Sequence, residues 1–175
     1  MKRTRLRILL SLLLCTVTAC ALALAYVAYL QPGENYTRIE DGLYVGGHVA
    51  NPPPGATAVL NLCEQADPYE ADAHRWNPIV NLNPGPDVAW IAEVVAFIEA
   101  QRRAGRTVYV HCQNGVNRGP FIATAFLMKS HGWSRAEAFA FLHERRPNVR
   151  SSPAFTQRLT EWEEVCVATR GTASP

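Results

Sequence analysis

The segment TVYVHCQNGVNRGPFIATAF, residues 107–126, places a strand pattern directly before a helix pattern. Its first part is rich in β-branched and aromatic residues, which favour strands. Its last part is an apolar run opened by Pro120, and proline is favoured in the first turn of a helix. The segment therefore predicts a buried strand, a tight polar turn around Gly115, and a buried helix.

Strand and helix patterns alternate along the rest of the chain. Short apolar runs bounded by Gly, Pro or Asn predict further strands at GLYVGG (42–47), AVLNLC (58–63) and NPIVNL (77–82). Helical spacing, a capping box at Ser134 and Glu137, and Gly or Pro stops predict helices over 87–105, 120–132, 134–147 and 152–171. The order predicts an α/β fold with a central, mostly parallel sheet flanked by helices.

The N-terminus has the pattern of a membrane segment. Residues 1–7 form a basic flank, and residues 8–30, ILLSLLLCTVTACALALAYVAYL, carry no charge. About 20 apolar residues are enough to cross a bilayer as a helix. We therefore predict a transmembrane helix or uncleaved signal anchor over 8–30, a linker over 31–37, one domain over 38–170 and a tail over 171–175.

Two processing patterns compete with a retained anchor. Ala19-Cys20-Ala21 resembles a signal cleavage site, and Val17 to Cys20 resembles a lipoprotein-type cysteine box. The apolar run continues for ten residues beyond Cys20, which favours a single-pass membrane protein. The basic flank favours an extracytoplasmic domain, whereas the chemistry predicted below conflicts with that side, so both sides stay open.

Charge and cysteine content exclude several other classes. The net charge is +2, yet four basic residues lie within the first seven positions, so the remainder is slightly acidic and nucleic acid is not an expected partner. Five cysteines without CxxC spacing argue against a disulfide framework and against a zinc site. We expect no metal and no cofactor, and a free reactive thiol fits this cysteine usage.

The turn after the strand TVYVH is suited to bind an anion. Backbone N–H groups converge where a turn leads into the N-terminus of a helix. Such donors stabilise a thiolate, so Cys112 would have a pKa below the free value of about 8.5 and act as a nucleophile. Arg118 can offer two donors to a phosphate, and Gly115 lets the backbone turn sharply. The pattern favours attack by Cys112 on a phosphate monoester; the simpler alternative is a buried thiol beside a surface arginine.

HCQNGVNRGP, residues 111–120, resembles the HCxxGxxR signature of the cysteine-dependent protein tyrosine phosphatases. GLYVGG, AVLNLCE and RRPNVRSSPAFTQRLTEWE are similar to the flanking segments of the compact dual-specificity branch, so the resemblance covers about 38–167. It implies that Cys112 is the nucleophile and Arg118 a phosphate and transition-state ligand. The implied phosphate cradle consists of the amides of Gln113, Asn114, Gly115, Val116, Asn117 and Arg118. His111 would tune Cys112, or it is simply a packed residue at the end of the strand.

The sequence departs from this family at two functional positions. Gly119 replaces the usual Ser or Thr, whose hydroxyl stabilises the departing thiolate, so breakdown of the cysteinyl-phosphate should be slow. Where the family has an aspartic acid that protonates the leaving group, the chain has Asn81 and Asn83. Neither amide can serve as an acid.

Asp87 is the predicted general acid if the loop NPGPD folds back over the site; otherwise it caps the next helix. Asp67 and Asp72 are weaker candidates. If none serves, aryl phosphates would be hydrolysed and alkyl phosphates hardly touched.

The variable positions of the cradle are uncharged. This favours a substrate of modest charge: phosphotyrosine, another phosphoprotein residue, a small phosphomonoester or a singly phosphorylated lipid headgroup. Arg145, Arg146 and Arg150 either line the approach or are solvated at a helix end. Some relatives keep a cysteine at the position of Cys63 that forms a reversible disulfide with the nucleophile, while a buried core cysteine is the alternative.

Two functions therefore stand at this point. The first is a membrane-anchored phosphatase of the dual-specificity type that uses a cysteinyl-phosphate intermediate. The second is a catalytically impaired phosphate-binding pseudophosphatase, motivated by Asn81, Asn83 and Gly119.

Overall fold

The computed structural model describes residues 16–18, 20, 35–80 and 82–172. The predicted segment 8–30 lies outside these residues except for the helical positions 16–18 and 20. Within the described ranges, no helix has the length and apolar character needed to span a membrane. Residues 35–175 form one compact unit.

The sheet has five strands, and one edge strand runs antiparallel to its neighbour. The strands are β1 (Tyr36–Glu40), β2 (Leu43–Gly46), β3 (Ala56–Asn61), β4 (Ala73–Trp76) and β5 (Thr107–His111). Their order across the sheet is β1-β2-β5-β3-β4. β1 pairs antiparallel with β2, and all other neighbours are parallel. The sheet is therefore mixed but mostly parallel, as the sequence predicts.

The predicted strand over 77–82 is wrong. The strand in this region is β4, which ends at Trp76, and residues 77–80 have no regular secondary structure. The loop is attached to the end of β3, because Asn77 N donates to Asn61 O and Ile79 N donates to Leu62 O. Among the described residues of this run, only Ile79 is buried, while Val80 and Leu82 are 67% and 44% exposed. The sequence predicts a strand here because an apolar loop that is anchored by one side chain can have the same composition as a short buried strand.

The first strand lies earlier than the predicted boundary. β1 begins at Tyr36, inside the predicted linker 31–37. The Tyr36 ring meets those of Tyr44 and Tyr109 edge-on, with centroids 5.9 and 6.2 Å apart. These aromatic contacts belong to the opposite face of the sheet from the main core, so the domain starts before Arg38.

All four predicted helices are present. They are α1 (Val88–Arg103), α2 (Arg118–His131), α3 (Arg135–Arg145) and α4 (Pro153–Thr172). The capping box at Ser134 and Glu137 is confirmed, and Gly132 ends α2 in the left-handed conformation. α2 starts two residues before Pro120, and α4 runs into the predicted tail.

The helices cover one face of the sheet. Leu43, Leu60 and Val110 share a buried cluster with residues of all four helices. On the other face, Val59 and Tyr109 pack with tyrosines and loop residues, and no described helix contributes to that cluster. The prediction of flanking helices therefore holds for one face. β5 lies at the centre of the sheet, so the turn that follows it emerges at the middle of the carboxyl edge, where parallel sheets bind ligands.

The corrected position of β4 can be tested by paired truncations. Leu60→Ala should lower the free energy of unfolding by about 2–5 kcal/mol, because Leu60 is fully buried. Leu82→Ala should change it by less than about 0.5 kcal/mol, because this side chain is exposed. Urea unfolding of both variants measures the difference; equal losses would restore the strand at 77–82.

Candidate active site

The turn between β5 and α2 is fixed to its neighbours by main-chain hydrogen bonds. Cys112 N donates to Gly46 O at 3.2 Å, and His48 N donates to Gln113 O at 3.0 Å. At the other end of the turn, Arg150 N donates to Val116 O at 2.8 Å. Cys112 itself is 3% exposed. The turn is therefore held from β2 and from the segment before α4, with the thiol at its base.

Gly115 is required by both conformation and space. Its φ is +66°, which L side chains rarely adopt. A Cβ here would collide with the Gly46 carbonyl group and lie 2.5 Å from the Arg146 Nη2 atom. The positive φ agrees with the sharp turn that the sequence predicts at Gly115, and the structure adds that the turn packs backbone against backbone.

Arg118 lies beside the turn at the start of α2. Its guanidinium donates to Ile79 O at 3.1 Å and to Leu62 O at 3.3 Å. Asn117 precedes the helix and makes no side-chain cap bond among the described contacts, so its side chain leaves the first-turn N–H groups of α2 uncapped. Cys112, Arg118 and the cradle residues Gln113 to Asn117 thus meet at one helix N-terminus, which is a setting that binds anions.

A buried carboxylate contacts His111, the residue before Cys112. His111 Nε2 lies 3.1 Å from Asp67 Oδ2, and His74 Nε2 lies 3.0 Å from the same oxygen. His48 Nε2 lies 3.6 Å from Asp67 Oδ1. The other nitrogen of His111, Nδ1, is 3.8 Å from Cys63 Sγ, and its ring stacks on Tyr109. His111 is therefore a packed residue at the strand end, and its tuning of Cys112 stays a prediction.

Asp67 is unsuited to donate a proton. Burial alone raises the pKa of its carboxyl, but the hydrogen bonds and positive charge of His111 and His74 outweigh burial and hold the pKa below its usual range. Its side chain has no exposed surface. The residue therefore carries a negative charge at neutral pH.

Sequence and structure comparisons identify the family. The family profile described as "Dual specificity phosphatase, catalytic domain" matches residues 55–165, well over half of the chain. The chain belongs to this family.

Curated dual-specificity relatives match over a limited part of their length. The chain is 36% identical over 110 residues to the Arabidopsis thaliana "Protein-tyrosine-phosphatase IBR5", covering 63% of this chain and 41% of that protein. It is 30% identical over 116 residues to the Homo sapiens "Dual specificity protein phosphatase 1", covering 65% of this chain and 32% of that protein. The chain thus spans about a third to two fifths of these relatives.

A solved dual-specificity phosphatase has the same fold over nearly its whole length. The crystal structure of human DUSP28 superposes with a TM-score of 0.69 and 29% identity. The match covers 77% of this chain and 96% of that one.

Two candidate acids for this phosphatase domain lie away from the turn or have another role. Asp87 is the N-cap of α1, and its Oδ1 accepts a hydrogen bond from Trp90 N at 2.8 Å. Asp72 is exposed before β4, and Asn83 lies in the loop before α1; Asn81 lies outside the described residues. The structure thus shows the capping role of Asp87, and its role as general acid stays a prediction.

Gly119 leaves room for a Cβ atom. A Cβ added here would lie 3.5 Å from His111 Cα and Val110 O and 3.6 Å from Cys112 N. These are ordinary van der Waals distances. Space therefore does not require glycine at this position.

Cys63 is buried and interacts electrostatically with Cys112. Burial, together with the negative form of Cys112, raises the pKa of the Cys63 thiol to about 12. Cys63 is therefore protonated at neutral pH. Both are free thiols, and the proposed disulfide between them stays a prediction.

Three arginines, one at the end of α3 and two after it, differ in their surroundings. Arg145 contacts Glu144 and the ring of Phe141. Arg146 is 5% exposed, so the solvated alternative is wrong for this residue. The sequence does not indicate which of two adjacent arginines at a helix end is buried. The contact of Arg146 with the turn is therefore not predicted.

No group of three or more His, Cys, Asp or Glu residues within the described ranges is arranged to hold a metal ion.

An experiment can distinguish the steric need for glycine at position 115 from the need for a positive φ. Gly115→Ala should weaken inorganic phosphate binding at least about tenfold, because the clash with Gly46 displaces cradle donors, and a lost charge-assisted hydrogen bond costs about 1.5–3 kcal/mol. Gly105→Ala is the matched control, since Gly105 also has a positive φ of 74° but an added Cβ there would meet nothing within 4 Å. Calorimetric titration measures both; equal affinities would contradict the packing argument.

Proposed function

We propose that the chain hydrolyses phosphate monoesters through a cysteinyl-phosphate intermediate on Cys112. The observation that carries this proposal is the meeting of Cys112, the turn amides and Arg118 at the N-terminus of α2. Membership of the dual-specificity phosphatase family supports it.

The reaction proceeds in two displacements. The Cys112 thiolate attacks phosphorus, the bond from phosphorus to the leaving oxygen breaks, and that oxygen takes a proton from an acid or from water. Water then attacks phosphorus, the sulfur–phosphorus bond breaks, and inorganic phosphate leaves. Cradle amides and Arg118 stabilise the phosphoryl oxygens in both steps, because their positive ends face the developing charge.

The surroundings of the cradle support a substrate of modest charge with an apolar or aromatic group near its phosphate. The loop 77–86, NPIVNLNPGP, has no charged residue. A cavity of about 180 Å³ lies along this loop and is lined by Pro78, Ile79, Val80, Gly85, Pro86 and Trp90. The carbonyl group of Ile79 also holds Arg118. Phosphotyrosine is the substrate that these features favour, with other phosphoprotein residues or a singly phosphorylated lipid headgroup as further substrates.

The membrane segment predicted over 8–30 belongs to the same proposal. It would anchor the phosphatase domain at a bilayer, on a side that the charge rule alone does not fix.

A pseudophosphatase is the second candidate. Gly119 supplies no hydroxyl to the departing thiolate, and Asn83 stands in the loop where the family has its acid. A phosphate-binding module would keep the cradle and bind phosphopeptide, but it would accumulate no phosphate on Cys112 after rapid quenching.

Two substitutions test the nucleophile and the acid. Cys112→Ser should abolish phosphate release from an aryl phosphate and from a phosphotyrosine peptide. Asp87→Asn preserves the helix cap, because asparagine also caps helices, so a loss of about 100-fold or more would assign the proton to Asp87. Unchanged release in Asp87→Asn would leave water as the donor. Tight peptide binding without release in the unmodified chain would contradict the enzyme and favour the second candidate.

The missing hydroxyl can be restored. Gly119→Ser should raise kcat about tenfold if breakdown of the intermediate limits turnover, because a hydrogen bond to a charged sulfur is worth about 1.5–3 kcal/mol. Gly119→Ala is the matched control, since it adds the Cβ without the hydroxyl. Burst and steady-state phosphate release measure the two steps; equal rates in both variants would show that breakdown does not depend on this position.

A further inference from the structure

Arg146 follows α3 and joins the phosphate turn, residues 112–118, to the start of β1. Its Nε donates to Gly115 O at 2.9 Å. Its Nη1 donates to Thr37 Oγ1 at 3.1 Å, and its Nη2 donates to Asn35 Oδ1 at 2.6 Å. Asn35 in turn donates from Nδ2 to Asn114 O at 3.3 Å. The guanidinium and Asn35 therefore hold two consecutive carbonyl groups of the turn.

The positive charge of Arg146 is buried without a carboxylate partner in the part of the chain that the structure describes. All three groups that accept its hydrogen bonds are neutral. A buried charge is costly unless an opposite charge compensates it. Burial accordingly lowers the pKa of Arg146, while the negative forms of Tyr109 and Cys112 act in the opposite direction. Burial raises the pKa of Tyr109, so its hydroxyl is neutral at neutral pH and does not compensate the charge of Arg146.

The hydrogen bond to Gly115 also orients a donor of the cradle. The carbonyl of Gly115 and the N–H of Val116 belong to one planar trans peptide and point in opposite directions. Because the guanidinium binds the carbonyl, the Val116 N–H points away from Arg146. A cation on the carbonyl side also polarises the peptide and strengthens the N–H as a donor.

We propose that Arg146 is a positioning residue of the phosphate turn, and that its buried positive charge stabilises the Cys112 thiolate from behind the turn. This inference rests on the proposed function, because it concerns the same nucleophile. It does not require Arg146 to touch the substrate.

Other ionisable groups also face the nucleophile or Arg146, and they come from several elements. His111 and Tyr109 lie on β5, Arg118 begins α2, Cys63 follows β3, and Asp67 lies in the loop before β4. Asp67 lies within hydrogen-bonding distance of His111 and His74, and its charge also raises the pKa of Cys63 and of Tyr109. Each variant below leaves these groups unchanged, so a difference between variants reports on Arg146.

The test measures the pH dependence of Cys112 alkylation by iodoacetamide in the full chain, in detergent micelles, by the mass of the Cys112 peptide. Arg146→Gln should move the midpoint upward by about half a pH unit or more, which is about threefold slower alkylation below the midpoint. Asn35→Asp should move it in the same direction, because the isosteric carboxylate pairs with the guanidinium and cancels its charge, and because the variant also loses the Nδ2 donor to Asn114 O. Arg146→Lys keeps the charge and should keep the midpoint.

Arg145→Gln is the matched control, because it removes the neighbouring arginine, which contacts Glu144 and Phe141 instead of the turn. It should leave the midpoint unchanged. If Arg146→Gln fails to fold, Asn35→Asp and Arg146→Lys still decide, since both retain a cation at position 146. Wild-type midpoints in Arg146→Gln or in Asn35→Asp would overturn the proposal, as would an equal shift in Arg146→Lys.

Alkylation needs no turnover, so this result is separate from the outcome for the proposed function. A shifted midpoint in a chain that releases no phosphate would retain Arg146 and reject the phosphatase. Phosphate release together with an unshifted midpoint would retain the phosphatase and reject the proposed role of Arg146.

Discussion

The close approach of the phosphate turn to the end of β2 is the contact on which the site depends. Gly115 packs on the Gly46 carbonyl, and Gly46 O accepts the hydrogen bond from Cys112 N. A Cβ at Gly46 would lie 2.6 Å from the Tyr109 hydroxyl, so a side chain does not fit at this position of β2 either. Cys112, the amide cradle and Arg118 are placed by this backbone contact, and β5 can bring them there because it is the central strand.

Local patterns predict the elements that carry the chemistry. β5 and the four helices follow from strand composition, helical spacing and capping residues that lie next to one another in the chain. The predicted strand at 77–82 is wrong because one buried side chain, Ile79, is enough to anchor an apolar loop. β1 is missed because its contacts, between Tyr36 and the rings of Tyr44 and Tyr109, depend on a pairing that local sequence does not show.

The same limit explains which parts of the site the sequence does not predict. Cys112, Gly115 and Arg118 lie within seven consecutive residues, so their spacing is visible in the sequence. Asp67 contacts His111 across 44 positions, and Arg146 contacts Asn35 across 111. The topology of the sheet brings these distant residues into contact. Both contacts hold charges close to the nucleophile, so the electrostatics of the site follow from the tertiary fold more than from the motif.

The contact between Arg118 and the loop after β4 links two kinds of recognition. The guanidinium donates to the Ile79 carbonyl, and Ile79 also anchors the uncharged loop that lines the neighbouring cavity. Under the proposed function, a phosphate bound by the guanidinium would compete with that carbonyl, and a group in the cavity would contact the same loop. Binding of the phosphate and binding of the group that carries it would then be coupled, so discrimination between substrates would depend partly on the energy needed to break the contact between Arg118 and Ile79.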